Sequence, residues 1–157
     1  MRPRSNRGFT LPELMIVLTI MAVLIGAGVP SFAEFIRNQR VKTASFDLFS
    51  SLVAARSEAI ARNTSVTLTP TSTANWADGW MIRYVDATSG STVTLRDQAA
   101  MPSLTITGPT SLVYRGSGRL SGTTAPQFAL TASGSTVVSR CINVDLSGRP
   151  VSKAAAC

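Results

Sequence analysis

Hydrophobic positions along the chain change texture twice. From Leu14 to Val29 every residue is apolar except Thr19, Gly26 and Gly28. From Ser31 to Arg62 the chain contains no Gly or Pro, and its apolar residues become periodic. Val41, Ala44, Leu48, Leu52, Ala55 and Ala59 step by three or four and mark one face of a helix. Phe46, Phe49, Val53 and Ile60 mark a second face, rotated by roughly 100° from the first. A helix packed only on its own domain needs one stripe, so two predict burial on both sides. Arg56 falls between the stripes and needs an acid to pair with or a route outward. Asn63 and Thr64 end the pattern. A continuous helix from Phe9 to Asn63 would run ~80 Å at 1.5 Å per residue, leaving about half of it outside a globular domain.

After residue 64 the texture turns to Thr, Ser, Val and Gly. Alternating runs at 65–69, 80–85, 92–96, 103–107, 112–115, 127–131 and 136–144 read as strands. Ser89-Gly90, Gly108-Pro109 and Gly116-Ser117-Gly118 separate them as turns. The predicted class is α+β: a long N-terminal hydrophobic helix packed on a mostly antiparallel β-domain.

Charge and composition narrow the chemistry. The chain carries 15 Lys+Arg, 8 Asp+Glu and no His, for a formal net charge of +7. Without Arg2, Arg4 and Arg7 the balance falls to 12 against 8, mildly basic rather than the dense charge of a dedicated nucleic-acid binder. The lack of His removes the commonest general base and metal ligand. The two cysteines, Cys141 and Cys157, have no zinc-type spacing. Gly116-Ser117-Gly118-Arg119 is too short for a phosphate loop and sits at no helix start. No catalytic constellation, metal site or cofactor is expected, and the chain does not read as an enzyme.

The N-terminus is informative in another way. Residues 1–8 are basic and polar, and the apolar run follows at once, a pattern of membrane targeting with the arginines on the cytoplasmic side. Phe9 to Val29 is 21 residues, close to the ~20 that cross a hydrocarbon core. A secretory signal cleaved near Ala27-Gly28-Val29 is the alternative. Against it stand Glu13, an ionisable group inside the apolar run, and the helix that continues directly beyond. Pro12 lies in the first turn, where a missing N–H costs little. Pro30, after Gly26 and Gly28, predicts a kink or a locally unwound stretch at 26–30.

Gly8-Phe9-Thr10-Leu11-Pro12-Glu13-Leu14 resembles the type IV prepilin signature. Residues 48–62, the segment Trp76-Ala77-Asp78-Gly79-Trp80 and the closing Cys141-Ile142 with Gly148-Arg149 are similar to the GspH/FimT family of pilin-like proteins. The resemblance implies a leader 1–8 cleaved after Gly8 by prepilin peptidase, with N-methylation of the new terminal Phe9. It also implies a membrane and filament-core half-helix 9–30, an amphipathic half 31–63, and a β-sandwich-like periplasmic domain 64–157. Glu13 becomes the fifth residue of the mature chain. A carboxylate in lipid needs a cationic partner, which the free amine of a neighbouring Phe9 would supply during assembly.

Implied partners are other major and minor pilins, the peptidase and inner-membrane lipid. The expected location is the inner membrane in a single pass, then a pilus or pseudopilus. In such an oxidising compartment Cys141 and Cys157 are expected to form a disulfide. Trp76 and Trp80 read as core packing around a tight Asp78-Gly79 turn. The expected role is a minor pilin that primes or caps assembly, with a pseudopilin of type II secretion as the sister reading. A second hypothesis is weak DNA contact, since some family members are associated with DNA uptake through Gly-Arg-x-Arg. Here that stretch is Gly148-Arg149-Pro150-Val151, missing the second arginine, with Lys153 and Arg140 nearby in sequence as candidate phosphate contacts and Arg115 and Arg119 as extensions if the fold brings them close.

Overall fold

The structure is a computed structural model that describes residues 9–72, 75–132 and 139–157, without the side chains of 27–31. Gly8 and the rest of the expected leader lie outside the described residues. One helix, α1, runs Leu11–Arg62. The chain divides into two compact units, Met1–Ile36 and Arg37–Cys157.

The described part of the first unit is the apolar stretch of α1. From Phe9 to Gly26 every residue is exposed, including Leu14, Ile16, Leu18, Met21, Val23 and Ile25. The Thr19 hydroxyl is satisfied internally, its Oγ1 donating to the Met15 carbonyl at 2.8 Å, as hydroxyls in apolar helices do. Residues 26–30 are assigned to the helix without interruption, so local unwinding is not seen here. Among the described residues no helical segment is long and apolar enough to cross a membrane. The apolar run of the sequence, 9–29, continues into side chains outside the description.

In the second unit all six residues of the first stripe, Val41, Ala44, Leu48, Leu52, Ala55 and Ala59, are fully buried. The helix ends where Asn63 turns to φ 49°, and the Thr64 N–H donates to the Ala59 carbonyl. A left-handed residue after the last turn is a common helix stop, and Asn tolerates it.

Eight strands follow: β1 Val66–Pro70, β2 Trp80–Val85, β3 Thr92–Gln98, β4 Leu104–Thr107, β5 Leu112–Tyr114, β6 Gln127–Ala132, β7 Arg140–Val144 and β8 Pro150–Lys153. They form two four-stranded sheets, ordered β3-β2-β1-β5 and β4-β6-β7-β8. Every pairing is antiparallel. Alternate residues of both sheets, among them Leu68, Ile82, Tyr114, Ile106, Phe128 and Ile142, join the helix stripe in one core. This is the expected α+β, sandwich-like architecture.

The final basic segment differs from expectation. It reads as a loop in the sequence, but Pro150–Lys153 is a strand at the sheet edge, paired with β7 from Val144↔Pro150 to Cys141↔Lys153. Proline is tolerated as the first residue of an edge strand because no ladder needs its missing N–H. The tryptophan segment is core, as expected. Trp76 packs edge-on against Phe128, centroids 4.9 Å apart, and its indole N–H donates to the Pro109 carbonyl at 2.8 Å. Asn75 organises the corner, its Oδ1 accepting from the N–H groups of Ala77 and Ile106. Gly79 sits at φ 103°, and a Cβ there would overlap the Gln98 carbonyl oxygen.

Cys141 and Cys157 form a disulfide with Cα atoms 5.0 Å apart. Closing a loop of this size stabilises by about 3 kcal/mol in the chain-entropy model. Cys157→Ser is therefore expected to lower the melting temperature of the domain beginning at Arg37 by about 10 °C under oxidising conditions. The effect should vanish when both proteins are reduced.

Candidate assembly and contact surfaces

The most unusual surface is the exposed face of α1. From Phe9 to Gly26 it is the apolar stretch itself, interrupted only by Thr10, Glu13 and Thr19 as polar side chains. Monomeric soluble proteins rarely leave a continuous apolar surface of this extent in water. Phe9, just before the start of α1, is 79% exposed.

In the second unit the exposed face is the second stripe. Phe46, Val53 and Ile60 are 70%, 42% and 51% exposed, while Phe49 is half-buried against the core. The helix thus buries its first apolar face fully and leaves most of the second uncovered.

Arg56, the residue that fitted neither stripe, is half-buried and among the described residues pairs with no acid. Its Nε donates to the Gly118 carbonyl at 3.0 Å and its Nη2 to the Ser147 carbonyl at 3.3 Å. Those carbonyls belong to two turns, after β5 and between β7 and β8, which also touch each other. The Leu120 N–H donates to the Leu146 carbonyl at 3.3 Å. Gly118 and Gly148 meet in left-handed conformations, φ 75° and 85°. A Cβ on Gly148 would overlap the Gly118 carbonyl oxygen, and one on Gly118 would press on Ile60. Glycine at both positions thus lets the turns seat against the helix. Gly148→Ala combines the overlap with backbone strain and is expected to cost about 3 kcal/mol. Denaturant unfolding of the domain measures it, and wild-type stability in that variant would contradict the packing described.

The second turn is held by Asp145. Hydrogen bonds from the Ser147 hydroxyl and the Arg149 N–H hold its carboxyl below the usual carboxylate range. A folded-state value depressed in this way stabilises the turn above the ordinary range and stops doing so as pH falls through the folded value. Burial pushes the Tyr114 phenol well above its ordinary range, so it stays protonated and is no candidate base.

The candidate phosphate contacts are not gathered on one surface. Cross-strand register and alternation place Arg140 with Ile142 on the helix-facing side of β7. Lys153 pairs with Cys141 on the other side. Arg149 is exposed in the turn, with Nε 3.9 Å from Asp145 Oδ2. The fold does bring the Arg115–Arg119 turn against the turn that carries Arg149. Among the described residues no group of His, Cys, Asp and Glu has the arrangement to hold a metal ion.

The family described as Type II transport protein GspH matches residues 44–148, and the Prokaryotic N-terminal methylation motif matches residues 3–29. Among solved structures, the type IV minor pilin FimU of Pseudomonas aeruginosa is similar at 26% identity and a TM-score of 0.65, covering 76% of this chain and 92% of that one. A second crystal form of FimU is similar at 24% identity and a TM-score of 0.62, with 71% and 91% covered. The minor pseudopilin EpsH of the Vibrio cholerae type 2 secretion system shares the fold at 12% identity and a TM-score of 0.59, with 73% and 96% covered. No curated protein matches the chain.

Proposed function

As the chain belongs to the GspH family, we propose that it is a minor pilin, a structural subunit that primes or caps assembly of a type IV pilus. The carrying observation is the uncovered apolar face of α1 next to a fully packed core. A domain with its own buried stripe and disulfide has no internal need of a second apolar stripe, or of an apolar half-helix. Lipid supplies the cover before assembly and neighbouring pilins supply it afterwards.

In this account prepilin peptidase removes residues 1–8 and Phe9 is methylated, consistent with the motif matched over 3–29. Glu13 then pairs with a neighbour's terminal amine as the subunit leaves the bilayer. Gly26, Gly28 and Pro30 weaken the helix between its halves, so that a stretch helical here lengthens under the load of the filament. The subunit is anchored in the inner membrane with its β-domain on the periplasmic side. The pilus reading is preferred to the secretion pseudopilin because the similarity to FimU reaches 26% identity, against 12% for EpsH.

Detection of the chain in sheared filaments from the organism that makes it tests this directly. Recovery in that fraction, at well below the level of the major subunit, is expected. A chain found only in membranes of a piliated cell would contradict the proposal.

A further inference from the structure

The second helical face ends in a groove of about 470 Å³ that runs between α1 and β8, lined by Lys42, Phe46, Phe49 and Arg140 with Ser45 and Ser152. Ser45 Oγ and Ser152 Oγ lie 3.2 Å apart and join helix to strand beneath it. β8 is the last strand of its sheet, so no further strand among the described residues closes this side. The aromatic wall is open, with Phe46 at 70% exposure.

The charges in and around the groove are one-sided. No acidic residue lines it, and among the described residues neither Lys42 nor Arg140 forms an ion pair. At ~100° per residue Lys42, Phe46, Phe49, Val53 and Ile60 fall within about 60° of arc, whereas Asp47 and Glu58 lie about 130° or more from its centre. Phe46, Val53 and Ile60 recur every seven residues, the spacing at which one helix lays an apolar seam against another. The seam therefore favours a helix as the occupant, and the two cations at its end favour an acid on that helix.

We propose that this groove receives a helix of a neighbouring filament subunit, with a carboxylate of that helix set between Lys42 and Arg140 and its apolar side chains covering Phe46, Phe49 and Val53. The proposal rests on the filament reading above but is narrower, since it fixes the chemistry of the neighbour. Hydrophobic cover alone would accept many partners and registers. The charge pair rejects those with a base or nothing at that position.

Site-specific photo-crosslinking in piliated cells making the full chain tests it, with benzoylphenylalanine at Thr43, a residue lining the groove. The same probe at Val17 reports on filament contacts of the apolar half-helix. The expected result is a Thr43 crosslink to a helical peptide of another subunit that carries Asp or Glu beside apolar residues. Its yield should fall about tenfold in the double variant Lys42→Glu, Arg140→Glu and persist in Lys42→Arg. A Thr43 crosslink to lipid, to nucleic acid or to a peptide without an acid overturns the proposal, as does a yield indifferent to charge reversal. Crosslinks at Val17 with none at Thr43 refute the groove contact alone. None at either position refutes the filament reading with it.

Discussion

Replacing Glu13 with alanine is expected to deplete the protein from sheared filaments about a hundredfold while its domain keeps the wild-type melting temperature. The size follows from the environment. Breaking a charge pair out of contact with water costs about 3–5 kcal/mol, and each 1.4 kcal/mol is a factor of ten in an equilibrium. The domain's stability does not depend on it, because Glu13 belongs to the first unit and is not among the core residues. Glu13→Gln separates charge from hydrogen bonding: it preserves shape and an acceptor but cannot neutralise an amine, so it should be depleted nearly as far. Quantitative detection of the three proteins in the sheared and membrane fractions gives the comparison. Normal incorporation of either variant would remove the assigned role of Glu13.

Gly8→Val is expected to abolish processing altogether. A branched side chain stands at the bond to be cut, so the chain should keep residues 1–8, with Arg2, Arg4 and Arg7 holding that end in the cytoplasm. Phe9 would then remain an amide, and the amine proposed to meet a neighbour's Glu13 would never form. The variant should therefore accumulate in the membrane and be missing from filaments, matching the Glu13→Ala distribution for a different chemical reason. The mass of its N-terminal peptide decides the matter, since a Phe9-starting chain from this variant would overturn the cleavage assignment.

Much of this was legible in the sequence because it is periodic. The step of Val41, Ala44, Leu48, Leu52, Ala55 and Ala59 placed the buried face of α1 correctly, since six apolar residues at helical spacing fit neither the two-residue period of a strand nor a loop. The second stripe was legible for the same reason; within this chain Phe46, Val53 and Ile60 are exposed while Phe49 is half-buried against the core. Trp76 and Trp80 were readable as core, though the role of Asn75 in capping their turn and pinning β4 was not. Short-range polarity gives no sign that one amide serves two distant N–H groups.

The misses have a common physical origin in long-range pairing. β8 is four residues long and begins with Pro150, so local propensity argued for a loop, and only the ladder with β7 makes it a strand. Arg56 could be seen to break both stripes, but its partners are backbone carbonyls 62 and 91 residues away, which carry no side-chain signature. Arg140 and Lys153 looked like members of one basic cluster because they are near in sequence. A residue's side of a strand depends on register, and register puts these two on opposite faces. The same geometry assigns Arg140 to the groove with Lys42, a long-range pairing that no local pattern announces.

The claim that this chain is a processed filament subunit is tested most directly by the mass of its N-terminal peptide when recovered from sheared filaments. The account predicts a chain that begins at Phe9 and carries one added methyl group on its terminal nitrogen. A chain that begins at Met1, or one cut after the apolar run near Val29, would contradict it.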